Sequence, residues 1–485
     1  MYWMRNIIFI TIPEMDVSLP PAGMAALSPI AQREGYNMRL LDLNLEIHLV
    51  TSPAEWQSMT NYCELSSDHL PEGVANKIIA TLDDRLDAMI DDETAYLAVS
   101  VFSIYSIRLS RILLRHIRQT RPTLKIICGG NALSSAIDGM DRDFGLLLLE
   151  EGLSDHCVFG EGEIALSKIL RGELPWPGVD SQDQEQIKDL DTLPFADYSM
   201  IDLNRYASNM LLITGSRGCV RDCTFCDIGK VWAKFRYRSA DLLVEEMIRN
   251  FRETGVSEFE FTDSLINGST KNFKRFNELL YEAKQRDSSL LPIRYSGQFI
   301  CKQQNNMVPE IYEMMHLAGC KQITVGIESF SENIRYHMGK KFSDADIDYH
   351  LKQCARWGIQ NVWLMIVGYP TETAIDHQLT ISRLHEYQRF AQMDVIGYIR
   401  WGLTMHIYDD TPISKMLDQL GIDGEVQSIR DGLYGWNSSK NPTLTLEERI
   451  RRRLELHEIS HGLGYKMPNV RAELLSLKAL AEGRA

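Results

Sequence analysis

The segment CVRDCTFC, residues 219–226, carries Cys219, Cys223 and Cys226 in a C-x3-C-x2-C spacing. Three thiols on so short a loop can converge on one centre, and the thiolate is a strong ligand for soft metals. Zinc is one candidate, either with a fourth protein ligand or with three ligands and a water. The nearest histidines in sequence are His156 and His316, while Asp222 and Asp227 are loop acids beside the thiols. A [4Fe–4S] cluster is the other candidate. Four thiolates normally hold it, so three would leave one iron open to a substrate or cofactor. The remaining cysteines, Cys63, Cys128, Cys157, Cys301, Cys320 and Cys354, are scattered and read as reduced, buried thiols.

The elements that must hold this loop can be read around it. LLIT (211–214) precedes the cysteines, and EFEFTD (258–263), IRYSGQF (293–299), QITVGIES (322–329), NVWLMIVGYP (361–370) and DVIGYIRW (394–401) follow as apolar runs. Helical patterns near 239–254, 271–286, 308–318, 344–357 and 374–391 separate them. Six strand–helix units suit an open β/α barrel, whose reactive residues gather at the C-terminal strand ends. That rim would hold Asp263, Ser296, Gln298, Glu328, Gly368, Pro370 and Arg400 beside the cysteines. Beyond about residue 405 the pattern breaks into helical stretches at 443–460 and 469–481 and a loop with Tyr434, Trp436 and Asn437, suited to capping the barrel.

The first part of the chain also alternates strands with helices: IIFITIP (7–13), MRLLDLN (38–44), YLAVSVFS (96–103), LKIICGG (124–130) and CVFGEGE (157–163), with a less regular insert after the second. A doubly wound parallel sheet follows, whose ligands lie beyond the strand carboxyl ends. Those ends carry Asn44, Ser100, Ser103, Gly129, Gly130, Gly160, Glu161, Gly162 and Glu163. Residues 172–196, rich in Pro, Gly and acids, read as a linker.

The 485 residues are too many for one ordinary core. The net charge of −15 argues against a broad nucleic-acid-binding face. The densest basic run, Arg449 to Arg453, sits among Glu447, Glu448 and Glu455 at helical spacing and reads as a salt-bridged, solvated helix face. No stretch has the roughly 18 to 20 apolar residues of a membrane span, and the first apolar run reads as a strand and not a signal peptide. A cytoplasmic location is expected.

The cysteine spacing after a barrel strand resembles the signature of the radical S-adenosylmethionine (radical SAM) superfamily. VGIESF, the following SENIRYHMGKKFS, and IVGYPTET (366–373) resemble further segments of it. The resemblance implies a [4Fe–4S] cluster on Cys219, Cys223 and Cys226, with S-adenosylmethionine chelating the open iron and yielding a 5′-deoxyadenosyl radical on reduction. Phe225 would lie beside the adenine, Glu328 would meet the cofactor's polar groups, and Gly368 and Pro370 would shape its pocket. Residues 20–44, 126–134 and 159–166 resemble the cobalamin-binding domain that precedes many such barrels. The D-x-H-x-x-G motif, whose His ligates cobalt in many cobalamin proteins, does not occur: Asp42-Leu43-Asn44 stands near its place without the imidazole. The implied architecture is α/β: a doubly wound, Rossmann-like cobalamin-binding-type domain (1–171), a linker (172–204), a partial (β/α)6 radical SAM barrel (205–405) and a mainly helical C-terminal region (406–485). The implied activity is methyl transfer to an unactivated carbon of a small-molecule or peptide substrate, with a one-electron donor such as flavodoxin or ferredoxin. A radical cyclisation or rearrangement on a cobalamin-free scaffold, and a non-catalytic cobalamin- or metal-binding sensor, are the alternatives.

Overall fold

The computed structural model describes residues 5–13, 16–64, 67–137, 140–174, 178–180, 186–402, 404–408, 411–422, 427–430, 433–468 and 479. The expected helix at 469–481, all but residue 479, and the side chain of Tyr434 lie outside the described residues. The chain divides into two compact units, Met1–Leu212 with Arg249–Val256, and Ile213–Ile248 with Ser257–Ala485.

The first unit is built on a six-stranded sheet. Its strands are β1 (Arg5–Thr11), β2 (Tyr36–Asp42), β3 (Thr94–Ser100), β4 (Ile126–Gly129), β5 (His156–Val158) and β6 (Gly178–Asp180), in the order β2-β1-β3-β4-β5-β6. Every neighbouring pair is parallel. Ile8, Ile10, Leu41, Leu97, Val99, Ile126, Cys128 and Cys157 enter its core, which explains why these strands read as unbroken apolar runs. The order reverses between β1 and β3, the switch point at which open α/β sheets leave a crevice beyond the strand ends.

Two parts of this unit differ from expectation. The insert after β2 is three helices, Leu43–Val50, Pro53–Cys63 and Glu72–Met89. Helix Pro53–Cys63 buries only Met59 and Cys63, too thin an apolar stripe to show as periodicity. Part of the supposed linker is β6, which pairs with β5.

The second sheet runs β7 (Met210–Ile213), β8 (Glu258–Phe261), β9 (Arg294–Phe299), β10 (Cys320–Glu328), β11 (Gln360–Met365) and β12 (Ile396–Trp401), ordered as in the sequence. The pairs from β8 to β12 are parallel. This is an open (β/α)6 sheet. On β9, Tyr295 and Phe299 meet Phe276 and Phe273 of helix Thr270–Arg286. Alternation therefore turns Ser296 and Gln298 to the opposite, inner face. A helical C-terminal region, Leu446–Gly462, follows.

The reading of Arg449–Arg453 as a solvated face is corrected here. Arg451 does lie on the surface, forked on Glu448 at 2.7 and 2.8 Å, but Arg449, Arg452 and Arg453 are at most 2% exposed. Arg449 donates to the carbonyls of Trp436 and Leu444 and stands 3.8 Å from the Trp436 ring centroid. Arg453 donates to the Trp401 and Gly402 carbonyls at the end of β12, and Arg452 pairs with Glu372 at 2.9 Å. Carbonyls left over at strand ends need donors, and a guanidinium supplies five in a fixed fork.

Candidate active site

The cysteine loop leaves β7 under tight control. Asp263, just past β8, accepts from the Gly215 backbone N–H (2.8 Å) and the Ser216 hydroxyl (2.7 Å). It is buried, and burial pushes its carboxyl up to about 7 against those donors. Ser216–Arg217 then pairs antiparallel with Arg236–Tyr237, and Arg217 and Arg236 both stack on Trp232. Gly218, with φ of 82°, lies where a Cβ would fall 2.7 Å from the Lys234 carbonyl oxygen, so only glycine suits the turn into Cys219.

Within the loop, the Cys226 N–H donates to the Cys223 carbonyl. The Thr224 N–H donates to the Met338 carbonyl at 3.0 Å, and its hydroxyl meets the Tyr369 hydroxyl at 2.9 Å. Cys223 is buried, with Cys219 and Cys226 half-buried. Burial pushes all three thiols above their ordinary range, and the Lys340 ammonium pulls each back. Among the described residues, no three His, Cys, Asp or Glu side chains stand close enough to share one metal ion. A cluster makes a different demand, because each thiolate binds its own iron at a separate corner of the cube.

Behind the loop lies a buried pair. Lys340 Nζ donates to Glu328 Oε1 at 2.9 Å and to the Gly326 carbonyl at 3.1 Å, and stands 5.6 Å from the Phe225 ring centroid. Glu328 ends β10 with φ of 64°, in the left-handed region, where the β10–β11 register shifts. Such strain in a non-glycine residue is the kind stored at functional sites.

The other predicted rim residues separate by location. Ser296 and Gln298 face the barrel interior, Gln298 exposed, and Arg400 is exposed on β12. Gly368 and Pro370 are buried. A Cβ on Gly368 would fall 2.6 Å from the Arg449 side chain, and Asn441 donates to the Pro370 and Glu372 carbonyls. Thr373 caps helix Ala374–Gln392, and the Glu372 carboxylate before it accepts from the Gly368 N–H at 3.0 Å. Trp436 is core, donating to the Met405 carbonyl.

In the first unit, Ser100, Gly129 and Gly160 stand at or just past strand ends, and Ser103 caps the turn Ile104–Ser106. Gly130, with φ of 112°, packs against the Val101 carbonyl with no room for a Cβ. Phe102, Ile104 and Tyr105 on the same edge are exposed by 59%, 57% and 43%. Three of the candidates are buried. Asn44 is not at a strand end: Asp42 accepts from the Leu45 N–H, turns the chain into helix Leu43–Val50, and leaves Asn44 2% exposed. Glu161 is buried and accepts from the Ile187 N–H. Glu163 is buried in the first turn of helix Gly162–Leu170.

Sequence reasoning missed Lys340, Tyr369 and the three buried arginines. Lys340 sits in the SENIRYHMGKKFS segment, where nothing separates it from its exposed neighbour Lys341. No helix among the described residues is long and apolar enough to cross a membrane.

Residues 213–384 match the model of the radical SAM superfamily. An uncharacterized methyltransferase of Pyrococcus horikoshii is 27% identical over 253 residues, covering 47% of this chain and 52% of the relative. The ribosomal protein uS12 methylthiotransferase RimO of Clostridium botulinum is 26% identical, covering 44% and 46%. The chain thus spans about half the length of these relatives. The fold is shared with the radical SAM methyltransferase TsrM of Kitasatospora setae, solved with tryptophan substrate and a SAM analogue (TM-score 0.65, 13% identity, 99% of this chain and 100% of that one). It is shared equally with OxsB, a cobalamin-dependent S-adenosylmethionine radical enzyme solved with aqua-cobalamin (TM-score 0.66, 15% identity, 99% and 71%).

Proposed function

From the radical SAM domain at residues 213–384, we propose that the chain is a cobalamin-dependent radical SAM enzyme transferring a methyl group to an unactivated carbon of a small-molecule or peptide substrate. The observation that carries this reading is the cysteine loop, set at the C-terminal edge of an open parallel sheet and backed by a buried lysine. Cys219, Cys223 and Cys226 would each hold one iron of a [4Fe–4S] cluster, leaving the fourth for S-adenosylmethionine. The loaded site would supply one electron from a flavodoxin- or ferredoxin-like donor to cleave that cofactor into a hydrogen-abstracting radical.

The chain's own residues do the positioning. Asp263 fixes the start of the loop and Thr224 ties its middle to Met338 and Tyr369. Phe225 offers an aromatic face to the adenine. Ser296, Gln298 and Arg400 present polar groups from the inner strand faces, where a substrate would be oriented. In the first unit, Ser100, Ser103, Gly129, Gly130, Gly160 and Gly162 would receive cobalamin, which would supply the methyl group. The exposed Phe102, Ile104 and Tyr105 suit a large flat ligand. The fold shared with TsrM and OxsB supports this assignment.

A cobalamin-free scaffold serving another radical reaction is the second reading. It is favoured by the burial of Asn44, Glu161 and Glu163, which leaves little of these side chains on the surface. Anaerobic loading with cobalamin separates the two. Methyl transfer predicts retention of the cobalamin absorption through gel filtration. A protein that forms 5′-deoxyadenosine but retains no cobalamin contradicts it.

A further inference from the structure

The turn Met338–Lys340 packs directly against the cysteine loop. The Thr224 N–H binds the Met338 carbonyl, and a Cβ on Gly339, whose φ is 80°, would lie 3.1 Å from the Asp222 carbonyl oxygen and 3.4 Å from the Cys223 Cα. The next residue, Lys340, is thereby committed to the interior, its side chain 9% exposed. Burying an ammonium costs several kcal/mol unless partners compensate it. Two are present, Glu328 Oε1 and the Gly326 carbonyl. A Cβ on Gly326 would crowd the Glu328 carboxylate and lie 3.0 Å from Lys340 Nζ, so a side chain there would push the pair aside. Glu328 accepts a left-handed backbone to reach the same place. A glycine, a strained residue and a buried ion pair have been assembled at one point behind the thiols.

Lys340 Nζ stands 5.6 Å from the ring of Phe225, the residue before Cys226, and its charge acts on Cys219, Cys223 and Cys226 alike, opposed at Cys223 by Glu328. A fixed positive charge in a poorly hydrated interior acts far more strongly than it would in water.

We infer that Lys340 sets the reduction potential of the centre held by the three cysteines, its buried charge favouring the one-electron-reduced form. The inference rests on the cluster reading above. Reduction moves one electron from a protein donor onto the cluster, adding one negative charge there and oxidising the donor by one electron, with no proton transferred. Lys340 stabilises the more negative state, so its loss drives the potential down.

The test is a potentiometric titration of the anaerobically reconstituted full-length protein, followed by electron paramagnetic resonance without S-adenosylmethionine. Lys340→Gln should lower the reduced-to-oxidised ratio at fixed potential about tenfold, which is about 59 mV for one electron. Lys340→Arg should restore it, and Glu328→Gln should move it the other way. An intact cluster in Lys340→Gln with an unmoved midpoint overturns the inference, leaving Lys340 as a partner of Glu328 or of S-adenosylmethionine alone. Should Lys340→Gln fail to hold iron, Glu328→Gln decides: a raised midpoint supports the inference, and an unchanged or lowered one overturns it. A wild-type chain that takes up no iron overturns the cluster reading together with this one.

Discussion

Asp263 is the acid on which the cysteine loop hangs, and its burial gives it a measurable signature. In the folded protein its carboxyl is raised from 3.8 to about 7. Between those values the folded form holds a proton that the unfolded chain has released. Stability therefore falls as pH rises from about 4 to 7, by up to about 4 kcal/mol. Asp263→Asn should remove that part of the slope in urea melts taken across the window, and a slope identical to wild type would contradict the assignment. Glu328→Ala is expected to destabilise by roughly 3 to 5 kcal/mol, because it strands the Lys340 charge; chemical denaturation reads this directly. Of the residues at this site, the cysteines were legible because three identical ligands on one loop have few other uses. Glu328 was legible only as a strand end. Lys340 was not, since a lysine's burial depends on a turn packed against a loop more than a hundred residues earlier.

Helix Leu446–Gly462 works as a clamp on the end of the barrel. Arg452 neutralises the buried Glu372, which in turn holds the Gly368 N–H, while Arg453 takes the carbonyls at the end of β12. Arg452→Met should cost about 3 to 5 kcal/mol in denaturation, and adding Glu372→Gln should recover most of it, because removing both charges is far cheaper than stranding one. Gly368→Ala should also destabilise, since its φ of 79° and the adjacent Arg449 side chain both oppose a Cβ. The strands of both sheets were readable because parallel strands buried on two faces leave unbroken apolar runs. The three helices after β2 were not, because short helices that bury few residues show little periodicity. β6 was hidden in a stretch of Pro, Gly and acids. The arginine helix misled because charge on a helix is usually solvated, and only the finished barrel shows how many carbonyls needed donors.

Taken together, the two units offer distinct places for chemistry: a switch-point edge with glycines and exposed apolar side chains, and a barrel rim with three thiols. The division into residues 1–171, 172–204, 205–405 and 406–485 remains our proposal for the domain organisation. The reading as a whole stands or falls on reductive cleavage of S-adenosylmethionine. Anaerobically reconstituted protein with a strong one-electron reductant should form 5′-deoxyadenosine and hold about four irons per chain, and Cys223→Ala should lose both. A wild-type chain that binds zinc in place of iron and never yields 5′-deoxyadenosine would contradict it.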